Sequence, residues 1–131
     1  MSVFYFLAHL LNLWYTKIVY FISGEIIMTD YGLVSLINEY LSKQYKNYKG
    51  AYFFGSRAFN TNKTDSDLDI VMLFENINLE QRFPIYGLLG NLEYENNVLI
   101  DQKIMTMAEF EANPYFYNEV TGKGKYYAPV Q

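Results

Sequence analysis

The sequence predicts one α+β domain, because it contains both segments with helical spacing and short apolar segments that are typical of buried strands. At 131 residues the chain has room for one domain with a modest core. Hydrophobic residues make up 51% of the chain, aromatic residues 19% and charged residues 18%. This composition is that of a globular protein and not of a disordered one.

The predicted helices and strands follow one another in a regular order from Thr29 onward. Thr29 or Asp30 can cap a first helix, in which apolar residues recur at helical spacing as far as Leu41. The chain is expected to turn at about residues 47–50. The later segments predict strands at 51–54, 67–74 and 98–105, of which the strand at 67–74 is buried on both faces. They also predict a helix at 79–95, with Pro84 in its first turn or at a kink. Two short helices follow between 107 and 122, the last capped by Gly122.

Residues 1–27 differ from the rest of the chain because they are almost wholly apolar. They lack the basic start and the cleavage site of a secretory signal, so we expect a cytoplasmic protein. Three interpretations remain open: translation that truly begins at Met28, a hydrophobic helix that packs on the domain or on a partner, and a membrane anchor. Lys17 lies near the middle of the apolar stretch, which disfavours a spanning helix. We therefore divide the chain into a hydrophobic, helical N-terminal extension, 1–27, and a domain, 28–131.

The charge and the rare residue types exclude several classes of function. The net charge is −4 and the chain has no cysteine and a single histidine, His9. Proteins that grip long nucleic acid carry a basic surface that neutralises phosphates, so no long nucleic acid is expected as a partner. The absence of cysteine removes disulfides, thiol catalysis and thiolate-bound zinc. A small anionic substrate stays compatible with this charge, because bound metal ions can reverse the local sign.

One segment combines features that suit the binding of a nucleotide: a Gly-Ser pair and, after ten intervening residues, an Asp-Leu-Asp triplet. Gly55 ends a predicted strand, where a residue without a Cβ permits a sharp turn and a close approach to phosphate. Ser56 adds a hydroxyl beside the backbone N–H groups that open the next segment, which favour anions. Arg57 either donates to phosphate oxygens or is an ordinary surface charge. The sequence therefore predicts nucleotide binding by Gly55, Ser56 and Arg57.

Asp67 and Asp69 are the predicted catalytic and metal-binding residues. Lying two apart on a strand, their carboxylates point to the same face and repel each other unless a cation lies between them. Mg²⁺ prefers carboxylate oxygens and substrate phosphates, and two such ions about 3.5–4 Å apart can activate the attacking oxygen and stabilise the leaving one. Asp101, in the third predicted strand, is the candidate for a third ligand that also helps to deprotonate the acceptor, although an aspartate there can simply face water. An Asp-x-Asp alone is common at solvated strand ends, so the prediction depends on its combination with Gly-Ser.

These residues resemble the nucleotidyltransferase superfamily that includes DNA polymerase beta and, within it, the minimal nucleotidyltransferase group. The resemblance extends from Thr29 to Tyr127. It implies a mixed sheet with helices packed on one face and Mg²⁺-dependent transfer of a nucleoside monophosphate from ATP or another nucleotide, with two ions in the site. The family pattern is Gly-Ser, a spacer, Asp-x-Asp and a later carboxylate on another strand, and it is matched here by Gly55, Ser56, Asp67, Asp69 and Asp101.

The resemblance also implies a partner. Members of the minimal group often act as antitoxins that pair with a helical protein of the HEPN type and silence it by adenylylating a tyrosine. We therefore predict a protein adenylyltransferase of this kind. Two alternatives remain: a binding module that neutralises its partner by contact alone, and a modifier of small molecules such as an aminoglycoside nucleotidyltransferase. Membrane contact is disfavoured and could involve only residues 1–27.

Overall fold

A computed structural model of the chain describes residues 19–22, 25–59 and 66–131. The elements, in chain order, are the strands β1 (Val19–Ile22) and β2 (Glu25–Met28), helix α1 (Asp30–Gln44), strand β3 (Tyr48–Phe54), a 3₁₀ turn (Ser56–Phe59), strand β4 (Leu68–Phe74), helix α2 (Leu79–Asn96), strand β5 (Ile100–Thr106), helices α3 (Met107–Glu111) and α4 (Pro114–Lys123), and strand β6 (Lys125–Tyr127).

A four-stranded mixed sheet forms the centre of the domain, in the order β5-β4-β3-β6. β3 is antiparallel to both β4 and β6, whereas β4 and β5 are parallel. Parallel neighbours need a crossover, which α2 supplies between β4 and β5. The predicted α+β class and mixed sheet are confirmed.

The helices begin where the sequence provides side-chain caps. The Thr29 side chain accepts a hydrogen bond from the backbone N–H of Gly32, as predicted for the first helix. α2 begins with a capping box, in which Asn78 and Gln81 each accept from the backbone N–H of the other. Pro84 lies inside α2, which continues past it to Asn96. The starts of both long helices are thus encoded locally.

The two faces of the sheet pack against different helices. Alternate residues of β4, from Leu68 to Phe74, join α1 and α2 in the main hydrophobic core. The intervening residues of β4, Val71 and Leu73, pack instead against Phe110 of α3 and Val120 of α4 in a smaller cluster. The two long helices share one face, as predicted, while the short helices cover part of the other. That second face also carries the candidate site, because Asp69 precedes Val71 by one period of the strand.

The N-terminal extension departs from the prediction where the structure describes it. Residues 19–22 and 25–28 form antiparallel strands, with Val19 paired to Met28, and not a helix. Branched and aromatic residues are abundant in both segments, and such residues favour strands. The predictions for residues 1–18 lie outside the described residues. None of the helices in the described part of the chain is long and apolar enough to cross a bilayer.

The C-terminal part contains two further differences. The last helix ends at Lys123 with Gly124 as its cap, so the prediction of Gly122 as the cap is wrong. The sequence did not predict β6, which pairs with β3 along only three residues, Lys125–Tyr127. So short an edge strand shows no clear alternation, and tertiary pairing decides its conformation.

Candidate active site

Two of the predicted carboxylates lie side by side on neighbouring parallel strands. Asp69 on β4 and Asp101 on β5 are direct partners in the strand register. Both therefore project from the face of the sheet opposite α1 and α2. Asp69 is half-buried and Asp101 is exposed. The structure thus brings together Asp69 and Asp101, which are far apart in the sequence.

The surroundings of Asp69 disfavour its charged form. Burial, a hydrogen bond with the Asp101 side chain and repulsion from Asp101 and Asp67 raise its pKa from 3.8 to about 6, while the nearby Lys103 cation opposes this rise. Two carboxylates this close hold a proton more tightly than isolated ones. A divalent cation between them would relieve the same repulsion. The chemistry of this donor set therefore fits Mg²⁺.

Lys103 is a charged residue of the site that the sequence analysis missed. Its ammonium group lies 3.3 Å and 3.4 Å from the two carboxylate oxygens of Asp101. Lys103 follows Asp101 by two positions on β5, so both side chains leave the same face of the strand. The spacing of two residues between Asp101 and Lys103 was the signal in the sequence that could have placed the lysine in the site. The lysine partly neutralises the carboxylate pair.

Gly55 lies directly against the carboxylate of Asp69. Its φ of 78° lies in the left-handed region that favours glycine. A Cβ added there would overlap Asp69 Oδ2 and lie 2.9 Å from Asp69 Cγ. The turn after β3 and the second aspartate of the triplet are thus in contact, and only a residue without a side chain fits between them.

Ser56 opens the 3₁₀ turn that follows Gly55. A cleft of about 400 Å³ adjoins this turn and is lined by Gly55, Ser56 and residues of α4 that include Phe116 and Glu119. Its volume is within the usual range for small-ligand sites. The predicted phosphate cradle therefore opens onto a space large enough for part of a nucleotide.

Arg57 is engaged in contacts within the protein. Its guanidinium donates two hydrogen bonds to the Asp30 carboxylate, at 3.0 Å and 2.9 Å, and one to the Ser66 carbonyl, at 2.8 Å. Only 17% of its side chain is exposed. These contacts join the 3₁₀ turn to the start of α1 and to the residue before Asp67. Neither of the two interpretations of Arg57 from the sequence predicted these contacts within the protein. The predicted contact with phosphate stays a prediction.

Asp67 immediately precedes β4 and is exposed. It contributes to the electrostatic environment of Asp69. Within residues 19–22, 25–59 and 66–131, however, no three acidic, histidine or cysteine side chains are close enough together to hold a metal ion by themselves. The geometry therefore brings Asp69 and Asp101 together as a pair, with Asp67 beside them.

Comparison with known families identifies the domain. The sequence model of the family described as polymerase beta, nucleotidyltransferase, matches residues 36–127. The chain belongs to this family. The matched region contains Gly55, Ser56 and the three aspartates. No curated protein sequence matches the chain.

Two solved structures share the fold of this nucleotidyltransferase domain. A mutant of the toxin-antitoxin MntA-HpeT is 18% identical, with a TM-score of 0.55, and the alignment covers 79% of this chain and 76% of that chain. A toxin-antitoxin crystallised with AMP-PNP is 19% identical, with a TM-score of 0.54 and the same coverage of both chains. At this level of identity the likeness shows the fold.

Proposed function

We propose that the protein is a Mg²⁺-dependent adenylyltransferase that moves AMP from ATP onto a hydroxyl group of a partner protein. The observation that carries the proposal is the register pairing of Asp69 with Asp101 beside Gly55, within a domain of the nucleotidyltransferase family. Because the proposed reaction uses ATP as the donor and Mg²⁺ as the cofactor, we place the protein in the cytoplasm.

Each residue of the site has a role in this proposal. Asp67, Asp69 and Asp101 would hold two Mg²⁺ ions, which neutralise the triphosphate and stabilise the leaving pyrophosphate when bound. Gly55 and Ser56 would receive the phosphates through backbone N–H groups and the serine hydroxyl. The acceptor oxygen forms a bond to the α-phosphorus while the bond from that phosphorus to pyrophosphate breaks. Asp101, the more exposed carboxylate of the pair, takes the proton of the acceptor hydroxyl and passes it to solvent.

The partner in this proposal is the toxin of a toxin-antitoxin pair, a helical protein of the HEPN type. Support comes from the shared fold with two toxin-antitoxin structures, one of which contains the ATP analogue AMP-PNP. The resemblance of the sequence to minimal nucleotidyltransferases, whose acceptor is a tyrosine of the partner, points the same way. In this account the chain is the antitoxin and silences its partner by covalent modification.

The test is a transfer assay on the full chain with the HEPN-type protein that the proposal names as its partner. Label in the α-phosphate of ATP should appear on the partner in the presence of Mg²⁺, and label in the γ-phosphate should not. The double variant Asp67→Asn/Asp69→Asn should lower the rate by about 100-fold or more. A matched control is Glu75→Gln/Glu95→Gln, which removes the same charge from exposed positions away from the site and should transfer normally.

Two results would contradict the proposal. One is an absence of transfer from ATP by folded protein. The other is full silencing of the toxin by the Asp67→Asn/Asp69→Asn variant, which would show that neutralisation occurs by contact. Transfer to an aminoglycoside, with none to protein, would identify the small-molecule alternative.

A further inference from the structure

The outward face of α2 is unusually apolar. Leu79, Phe83, Tyr86 and Tyr94 expose 63%, 60%, 39% and 90% of their surface. They follow one another at intervals of four, three and eight residues, which places them on one stripe along the helix. The solvent face of a surface helix is normally polar. This stripe therefore has the character of a contact surface.

The opposite side of α2 already serves the fold. Ile85, Leu89 and Leu92 are buried in the main core. A helix that is apolar on both sides is usually covered on both sides. The exposed stripe thus has no role in packing within the described part of the chain.

Two glycines complete the stripe. Gly87 and Gly90 lie on the same face, and a Cβ added at either would meet no atom within 4 Å. Glycine inside a helix costs about 0.5–1 kcal/mol relative to alanine, and no close contact within the domain requires it at these positions. Glycines on an exposed helix face allow another helix to approach closely.

The stripe is complementary to itself under a twofold axis. In an antiparallel pair of α2 helices centred between Tyr86 and Gly87, Tyr86 of one copy lies opposite Gly87 of the other. Phe83 then lies opposite Gly90, and Leu79 lies opposite Tyr94. Each of the two central rings meets a position that has no side chain, so large and small residues alternate across the contact.

We propose that α2 is a homodimer interface in which a second copy of the chain packs antiparallel on this stripe. The four exposed side chains offer roughly 500 Å² per copy, or roughly 1,000 Å² for the pair, which is the lower bound for a specific interface. Interfaces at this lower bound are typical of weak or transient association, so we expect a dissociation constant in the micromolar range.

The position of α2 keeps this interface apart from the chemistry. α2 packs on the main-core face of the sheet, whereas Asp69 and Asp101 project from the other face. A dimer formed through α2 consequently leaves both sites open. Loss of the dimer would leave the intrinsic reaction of each copy unchanged.

The first experiment measures association of the full chain by sedimentation from about 1 to about 300 μM. The unmodified protein should pass from monomer to dimer in this range. Phe83→Glu should weaken the dimer at least tenfold, because it places two charges in an apolar contact. Leu99→Glu is the matched control, because Leu99 is 65% exposed and lies outside α2. It should dimerise normally, and both variants should keep their melting temperature within a few degrees.

The second experiment determines the register by disulfide crosslinking, for which the chain has no competing cysteine. In the proposed pair the two copies of residue 86 are offset by only about 1.5 Å along the helices, whereas the two copies of residue 94 are about 22 Å apart. Tyr86→Cys should therefore crosslink on mild oxidation and Tyr94→Cys, which removes the same kind of side chain, should not.

Several results would overturn the proposal. A monomer at every concentration, with no crosslink at residue 86, would reject the dimer. Equal crosslinking of the two variants would reject the antiparallel register. Association that needs the HEPN-type protein, and that Phe83→Glu abolishes, would assign the stripe to that partner in place of a second copy.

Discussion

At the level of single residues, Gly55 and Asp69 depend on each other although fourteen positions separate them in the sequence. The Asp69 carboxylate fills the space where a Cβ of residue 55 would stand. The Gly-Ser and Asp-x-Asp parts of the pattern are therefore two sides of one contact. The sequence could predict that both parts serve one site. It could not reveal this contact, because the distance depends on the pairing of β3 with β4.

Gly55→Ala should disrupt the contact between residue 55 and the Asp69 carboxylate. The added methyl group must displace Asp69, so we expect a decrease in transfer rate of about 100-fold, the effect of misplacing a catalytic group by about 1 Å. The left-handed backbone at residue 55 should also make this variant about 1 kcal/mol less stable. Gly122→Ala is the control, because its Cβ meets nothing within 4 Å in α4. It should keep full activity; equal rates for the two variants would contradict the contact.

The raised pKa of Asp69 predicts a dependence of stability on pH in metal-free buffer. Its pKa is about 6 in the folded chain, and the reference value is 3.8. Its favourable contribution to the free energy of unfolding is therefore present below about pH 4 and is lost as the pH rises through 6. The substitution Asp69→Asn removes this loss of stability with rising pH. The variant should gain melting temperature relative to the unmodified protein between about pH 4 and about pH 7.

The size of this gain is reduced by solvent, because Asp69 is only half-buried. We expect roughly 1 kcal/mol, or about 4 °C. Added Mg²⁺ should stabilise the unmodified protein and not the variant. A difference in melting temperature that is independent of pH would contradict the prediction.

Arg57 should act by positioning Asp67, through its hydrogen bond to the Ser66 carbonyl. Arg57→Lys cannot reproduce the paired bonds to Asp30, so the transfer rate and the affinity for Mg²⁺ should each decrease about tenfold. Asp30→Asn should cause a similar defect, because it weakens the hydrogen bonds that hold the same guanidinium in place. If Arg57 instead binds phosphate, Arg57→Lys should raise the KM for ATP while Asp30→Asn leaves it unchanged.

At the level of elements, the sequence predicted those that carry their own local signals. The cap at Thr29 and the helical spacing after it predicted α1, and the apolar run of β4 predicted the strand that holds Asp69. The elements that it missed lack such signals. β6 has three residues and is defined by pairing with β3, and Gly124, not Gly122, caps α4. Conformations fixed by tertiary pairing could not be predicted from local pattern.

The capping box of α2 should contribute measurably to stability. Asn78→Ala leaves the backbone N–H of Gln81 without its side-chain acceptor, which should cost about 1 kcal/mol in the free energy of unfolding. Asn91→Ala, at an exposed position within the same helix, should be neutral or slightly stabilising because alanine favours helix. Denaturation in urea measures both values. Equal effects of the two substitutions would show that the cap contributes little.

At the level of the whole molecule, the fold class and the family followed from a small set of residues, whereas the conformation of the described part of the N-terminal extension did not. The central sheet consists of residues from Tyr48 onward, and the family match begins at residue 36. A chain that begins at Met28 should therefore fold and keep its transfer rate within about twofold of the full chain. Its circular dichroism and activity can be compared directly with those of the full chain. Loss of folding would show that the preceding residues belong to the domain.

The alternation along β4 has a consequence for how the chain reaches its native state. A shift of this strand by a single residue against its neighbours would exchange its two sides. Asp69 would then enter the main hydrophobic core beneath α1 and α2, and Ile70 and Met72 would move to the face that carries the smaller cluster and the site. The cost of hiding an unpaired acid exceeds that of most packing errors. We therefore expect Asp69 also to enforce correct strand alignment during folding, so replacing it with a neutral residue should make misaligned forms easier to populate.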